Sequence, residues 1–270
     1  NQPTYCPPYN STGESMMPNI SLDDDVKKHV AAIHIQSKYS LLQRKLSNVL
    51  LANAYDDLQT EDEFDIPVGT LADIAGFNSN DREYLKTNLI ALASTPVFWN
   101  ILEEEFINEG NEEKSDPAWT VSPMFEHITL DGGRCTYSYN RRVKQRLADP
   151  VVYAKFSLAV QRTFTSSYGL ALYENCIRYK NIGKTKWFPL ETFRKLMGVE
   201  KSEYKDFKEL NRRVIKKAVE EVNTLTDIEV VPSFHRVNRK VDEIQFSVKR
   251  NPQYKLNLHF TNKIVEAKEA

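Results

Sequence analysis

The sequence predicts an α+β fold of two similar units in tandem, on three observations. The chain has 270 residues, roughly 1.8 domains at about 150 residues each. A block punctuated by Pro, Thr and Gly occurs twice, with an offset of 122 residues. The charge also divides: residues 1–130 carry 8 Lys and Arg against 21 Asp and Glu, whereas residues 131–270 carry 28 against 16. A formal net charge of −1 conceals that split. A basic half is the electrostatic footprint expected of a nucleic-acid binder.

Composition excludes several classes. Hydrophobic residues make up 41% and charged residues 27%, enough for buried cores and unlike a low-complexity chain. No run approaches 18 apolar residues, so no membrane-spanning helix is expected. Residues 1–21 are rich in Pro, Ser, Asn and Met and have no apolar centre; they predict a disordered arm, not a signal peptide. Cys6, Cys135 and Cys176 are odd in number and far apart, which argues against a disulfide framework and for a reducing cytoplasm. There is no C-x-x-C pair, so no zinc ribbon is expected. Gly183-Lys184-Thr185 copies the end of a phosphate-binding loop. Arg178 stands where its first glycine belongs, and Trp187-Phe188-Pro189 follows where a helix is required.

The elements follow in order. Residues 27–35 alternate and predict a strand. Residues 41–58 carry apolar side chains at 42, 46, 49, 50 and 54 and predict an amphipathic helix. The acidic residues 59–65 predict a solvated loop. Then Pro67-Val68-Gly69-Thr70-Leu71-Ala72-Asp73-Ile74-Ala75-Gly76-Phe77 matches Pro189-Leu190-Glu191-Thr192-Phe193-Arg194-Lys195-Leu196-Met197-Gly198-Val199. Both read Pro-x-x-Thr-apolar-x-x-apolar-x-Gly-apolar. Each predicts a short helix opened by Pro and closed by Gly, at the C-terminal position that tolerates left-handed backbone. A second helix follows each, over about residues 80–93 and 202–224, which is helix-turn-helix syntax twice. Behind each come two alternating stretches: residues 119–125 and 134–139 around Asp131-Gly132-Gly133, and residues 228–231 and 241–248 around a basic tip. A helix-turn-helix followed by a β-hairpin is a winged helix. The expected organisation is therefore an arm (1–21), a first winged helix (22–148), a second (149–262) and a tail (263–270). A helical segment over 151–179 joins the two units.

On a helical wheel, Phe207, Leu210, Val214, Ala218 and Val222 share one stripe, and Lys205, Glu209, Arg212, Arg213 and Lys216 share the opposite face. The stripe anchors the helix and the cations face the major groove and its phosphates. Lys205, Lys208, Glu209 and Arg212 are the expected base readers, because Arg bonds guanine O6 and N7 together and Glu accepts from cytosine N4. Arg213 and Lys216 are expected on phosphate, with Arg236, Arg239 and Lys240 at the wing tip. Such charges also solvate ordinary surface helices, as Glu209–Arg213 and Lys216–Glu220 pairs. The basic wing and the basic half favour DNA. In the first unit the matching helix offers Arg82 and Lys86 against Asp81 and Glu83. It predicts protein contact, with phosphate left to Arg134 and to the run from Arg141 to Arg146.

His29, His34, His127, His235 and His259 form neither H-x-H nor H-E-x-x-H, which argues against a zinc hydrolase or a metal-dependent nicking enzyme. His235 lies in the wing within reach of phosphate, and the other histidines are expected to be half-buried. Trp99, Trp119 and Trp187 are expected in the core. Asp23-Asp24-Asp25 predicts a loop or the start of a helix, not a metal site. No catalytic residue, cofactor, metal or membrane partner is expected.

Several blocks together resemble the initiator (Rep) proteins of iteron-bearing, theta-replicating bacterial plasmids. They are Tyr168-Gly169-Leu170-Ala171-Leu172-Tyr173-Glu174 with Arg178-Tyr179, the run from Gly183 to Val199, and Tyr204 with Asp206-Phe207-Lys208 through Arg213-Val214-Ile215 to Glu221-Val222-Asn223. Arg239-Lys240-Val241 with Ile244 and Phe246 closes the series. The resemblance is strong over residues 151–250 and weaker over 26–99. It implies a replication initiator that binds direct repeats (iterons) of double-stranded origin DNA, helps melt adjacent A·T-rich DNA, and recruits host initiator and helicase in the bacterial cytoplasm. It also implies dimers formed through the first unit that restrain copy number. The acidic residues 103–116 depart from a DNA-facing wing. Two other readings stand beside it: a dimeric winged-helix repressor without initiator activity, and a rolling-circle nicking protein.

Overall fold

One local plan is used twice along the chain: a short strand, two helices at a turn, then a hairpin whose second strand returns to the first. The computed structural model describes residues 20–29, 33, 38–78, 81–99, 120–148 and 153–254. The expected arm and tail lie outside these residues apart from Ile20 and Ser21, as do residues 103–116.

The first unit begins with β1 (Asp25–His29) and α1 (Leu41–Ala54). Ser40 opens α1 with a capping box: its hydroxyl accepts from the Gln43 N–H, and the Gln43 side chain accepts from the Ser40 N–H. A 3₁₀ turn over Tyr55–Asp57 ends the helix earlier than the apolar spacing predicts. β2 (Phe64–Pro67), α2 (Val68–Ile74) and α3 (Arg82–Ser94) follow. Next come β3 (Pro96–Trp99), β4 (Thr120–Pro123), β5 (Phe125–Asp131), β6 (Arg134–Tyr139) and α4 (Arg141–Leu147). The sheet order is β2-β6-β5, antiparallel. Its inner face gathers Phe64, Phe125, Tyr137 and Tyr139, with Phe125 and Tyr139 stacked at 4.9 Å.

Two expectations are corrected here. The first strand of the wing is not residues 119–125 but begins at the last of them, Phe125. Thr120–Pro123 pairs with β3, and the wing is β5 with β6 around Gly132 and Gly133. The joining segment is also not all helix. It opens as β7 (Tyr153–Ser157), which pairs antiparallel with β1 so that Phe156 meets Val26. Buried Ala154 and Phe156 alternate with Lys155 and Ser157, and this period of two finds its partner strand more than 120 residues away. Only then come α5 (Leu158–Thr163) and α6 (Ser167–Ile177).

The second unit contains β8 (Phe188–Pro189), α7 (Leu190–Leu196) and α8 (Phe207–Leu210). α8 runs through a π turn (Asn211–Ile215) into α9 (Lys216–Leu225). β9 (Ile228–Val237) and β10 (Lys240–Arg250) extend well beyond the alternating residues that predict them, because ten paired positions of one hairpin support each other. The order β8-β10-β9 repeats that of the first sheet.

The units meet across α6, whose residues are almost all buried. Glu174, fully buried, accepts from Lys28 at 3.1 Å, Arg44 at 3.0 Å and the Asn48 amide at 2.7 Å. Burial disfavours its carboxylate, yet those neighbours outweigh burial and hold its pKa below the ordinary value. At the corner before α6, Lys45 of α1 donates to the carbonyls of Arg162 and Phe164, both at 2.8 Å. From the other side, the Glu221 carboxylate of α9 accepts from the Thr165 hydroxyl at 2.8 Å and the Ser166 N–H at 3.1 Å. A side chain at Gly169 would collide with that carboxylate. The corner is thus held by both units.

Candidate nucleic-acid interface

The two helix-turn-helix elements end their first helix identically. Gly76 and Gly198 have φ of 73° and 69°, and their N–H groups bond the Asp73 and Lys195 carbonyls. The next residues, Phe77 and Val199, reach back to the carbonyls of Ala72 and Arg194. This Schellman arrangement needs left-handed backbone where only glycine has no Cβ to clash. The Pro residue sits one place earlier than expected: Pro67 and Pro189 are the last residues of β2 and β8 and precede the first helical residue. Asp81 and Asp206 then cap the second helices, accepting from Tyr84 and Lys208 N–H. The predicted start at 202 is therefore too early.

A residue that the sequence reading passes over fixes the second turn. Arg194, only 6% exposed, donates to the carbonyls of Tyr204 at 3.1 Å and Glu200 at 2.9 Å and to that of Glu203. Ala72 occupies the matching place in the first unit. Among the described residues only the second turn is clasped this way, and the clasp sets where α8 begins.

The stripe that faces inward is as expected, with Leu210, Val214, Ala218 and Val222 buried, and Ile215 joins it. The π turn explains the addition. The Lys216 N–H bonds the Asn211 carbonyl, five residues back, and the wider turn lets the adjacent Val214 and Ile215 both face the core. Outward, Lys205, Lys208, Arg212, Arg213, Lys216 and also Lys217 are exposed. Glu209 is engaged within the helix. Its carboxylate accepts from Arg212 Nε at 3.3 Å and Nη2 at 2.8 Å, and from Arg213 Nε at 2.9 Å. The hydrogen bonds from the two arginines hold its pKa down at about 2. Among the described residues, no carboxylate pairs with Lys205, Lys208, Lys216, Arg239 or Lys240.

Phe207, the first residue of α8, meets Phe234 of β9 edge to face at 5.2 Å, which docks the helix start against the wing. Two residues further along β9 is Arg236, exposed and donating to the Arg239 carbonyl at 3.3 Å. Val237 pairs with Lys240 across a two-residue turn in which Asn238 and Arg239 have φ of 49° and 67°. The first wing makes the same kind of turn with Gly132 and Gly133, at 53° and 82°. Positive φ at Arg is strained, so the second wing keeps a long cation where the first has no side chain at all.

Two further expectations change. Trp187 is 38% exposed, not core, and its ring meets His235 edge to face at 6.2 Å. His235 lies against Glu243, 3.4 Å from its carboxylate. Asp25 starts a strand, while the Asp24 carboxylate accepts from the Ser21 N–H at the turn before it. Trp119, His34 and His259 lie outside the described residues. Among the described residues, Cys135 and Cys176 are buried free thiols, and burial pushes the Cys135 thiol up to about 12. Aligned by its capping Asp, α3 places Tyr84, Thr87 and Asn88 where the second unit has Glu209, Arg212 and Arg213.

Two family descriptions match the chain across this architecture. Residues 25–177 match the family described as "Initiator Replication protein, WH1", and residues 189–248 match "Initiator Rep protein, WH2". Among solved structures, domains 2 and 3 of RctB align over 77% of this chain and 81% of that one, with 8% identity and a TM-score of 0.46. A second RctB structure, of residues 155–483, aligns over 80% and 83%, with 11% identity and a TM-score of 0.41. No curated protein sequence matches the chain. The two family matches cover both helix-turn-helix units and their wings, and the chain belongs to the replication initiator (Rep) family, with its two winged-helix domains in tandem.

Proposed function

We propose that this initiator recognises repeated duplex sequences in a plasmid origin through α8–α9 and the β9–β10 wing of its second domain. The observation that carries the reading is a set of exposed cations on two elements that touch. Lys205, Lys208, Arg212, Arg213 and Lys216 on the helix, and Arg236, Arg239 and Lys240 on the wing, are all exposed, and the Phe207–Phe234 contact joins the two elements. An anchored helix with outward cations enters the major groove, and a basic wing reaches the flanking phosphates. Arg212, Lys208 and Lys205 take base edges; Arg213, Lys216 and the wing cations take phosphate. The first domain presents Tyr84, Ile90 and Leu130, 51%, 57% and 36% exposed, on the helix and wing where the second presents cations. This supports contact with proteins: a second copy, or the host initiator and helicase.

The test is titration of the full chain with origin repeats and with scrambled duplex at several salt concentrations. Log affinity should fall steeply with log salt, by about 0.9 for each phosphate contact. Arg212→Ala should cost about 1–3 kcal/mol and relax base preference, whereas Lys216→Ala should weaken all sequences alike. A flat salt response overturns DNA recognition. Failure of a bound origin to replicate when the gene is resupplied favours a repressor.

A further inference from the structure

Of the cations on the proposed interface, two are arginines on the helix, and these are the two that an acid holds. The lysines, which meet phosphate as point charges, have no carboxylate partner among the described residues. Arg212 presents Nε to Oε1 and Nη2 to Oε2 of Glu209, and Arg213 presents Nε to the same Oε2 atom. One carboxylate therefore gathers two guanidinium groups and neutralises half their charge.

This has a consequence for discrimination. A generic phosphate, meeting the helix first, finds lysines available and arginines engaged. To leave Glu209, Arg212 needs an acceptor that replaces a two-pronged contact; a phosphate has that geometry but carries a charge the carboxylate repels, whereas the guanine O6/N7 edge in the major groove offers the same two acceptors uncharged. Without Glu209, that repulsion of an approaching phosphate would be absent. Specificity of this kind comes from an element that disfavours wrong partners as much as from contacts to the right one. The first domain has Tyr84 in the aligned place, so the device belongs to the second alone.

We propose that Glu209 is a specificity-determining residue that acts through Arg212 and Arg213, restraining both until a guanine edge displaces them. The proposal rests on DNA recognition by α8–α9. It differs from the expectation that Glu209 accepts from cytosine, because a base-reading carboxylate strengthens binding to its target, whereas a restraining one weakens binding to everything else.

The two are separated by Glu209→Gln in the full chain. The probes are a duplex enriched from a random pool by the wild-type protein and a scrambled duplex of equal composition, each titrated over a range of salt. Binding to the scrambled duplex should tighten about three- to tenfold, with a salt slope steeper by about one contact. Binding to the enriched duplex should change less than about threefold. The effect on scrambled DNA should largely vanish when Arg212 and Arg213 are both replaced by Ala, since the restraint then has nothing to hold. Weaker binding to the enriched duplex, with scrambled DNA unchanged, overturns the proposal in favour of direct base reading. An effect that persists without the two arginines overturns it in favour of surface charge alone. If wild-type protein enriches no sequence from the pool, the DNA reading itself is what has failed.

Discussion

Replacing Arg239 by Gly separates what the second wing tip does for the fold from what it does for a partner. Arg239 holds φ at 67° in a two-residue turn closed by the Val237–Lys240 pair. Left-handed backbone costs a residue with a Cβ about 1–2 kcal/mol. Glycine removes that strain and returns roughly 0.5–1 kcal/mol through the extra freedom of its unfolded chain. The net is a stability gain between about zero and 1.5 kcal/mol, a Tm unchanged or raised by up to roughly 5 °C. The first wing already uses glycine at this place, so the turn itself has no need of Arg. On the DNA side, losing one phosphate contact should lower the salt slope by about 0.9 and weaken binding about fivefold, or ~1 kcal/mol. Urea unfolding and salt-dependent binding of the same variant measure both. Loss of 1 kcal/mol or more of stability would refute the strain argument. Unchanged affinity with an unchanged salt slope would refute the placement of the wing tip on phosphate.

Other outcomes follow from the interior. Glu174→Gln leaves Lys28 and Arg44 buried without their carboxylate and should cost about 3–5 kcal/mol in urea unfolding. The folded pKa of Glu174 lies below its ordinary value, so its stabilisation is complete above about pH 4.3, the unfolded value. It is lost as pH falls through the folded value, and the variant should lack that acid-dependent component. Arg194→Lys supplies a point charge where a planar fork spans three carbonyls. Stability should fall by about 1–3 kcal/mol, accompanied by loss of base preference because the start of α8 is no longer fixed. Retained base preference at reduced stability would confine Arg194 to a structural role.

Local signals in the sequence reached some elements and missed others for identifiable reasons. The duplicated Pro-x-x-Thr…Gly block was legible because Schellman geometry demands glycine at a fixed place, at 76 and again at 198. The inward stripe of α8–α9 was legible because burial follows helical period. The segment 153–157 was misread because a strand takes its identity from its partner, and β1 lies far away in sequence. Residues 119–125 were misread for a related reason: Asp131-Gly132-Gly133 locates a turn without saying which upstream residues pair across it. Trp187 was placed inside on residue type alone, whereas its ring lies on the outer side of the β8-β10-β9 sheet, where His235 is its one aromatic neighbour among the described residues.

By itself, the sequence determined two helix-turn-helix units of opposite charge, since repeat, cap and periodicity are local properties that survive without knowledge of neighbours. Tertiary structure decided the rest. It placed Arg194 across the turn from three carbonyls, turned Ile215 inward through a π turn, bound Glu209 to two arginines, and held the corner before α6 from both units. Each of these depends on distances between groups that sequence spacing leaves free, and hydrogen bonds and ion pairs are decided at the scale of about 3 Å.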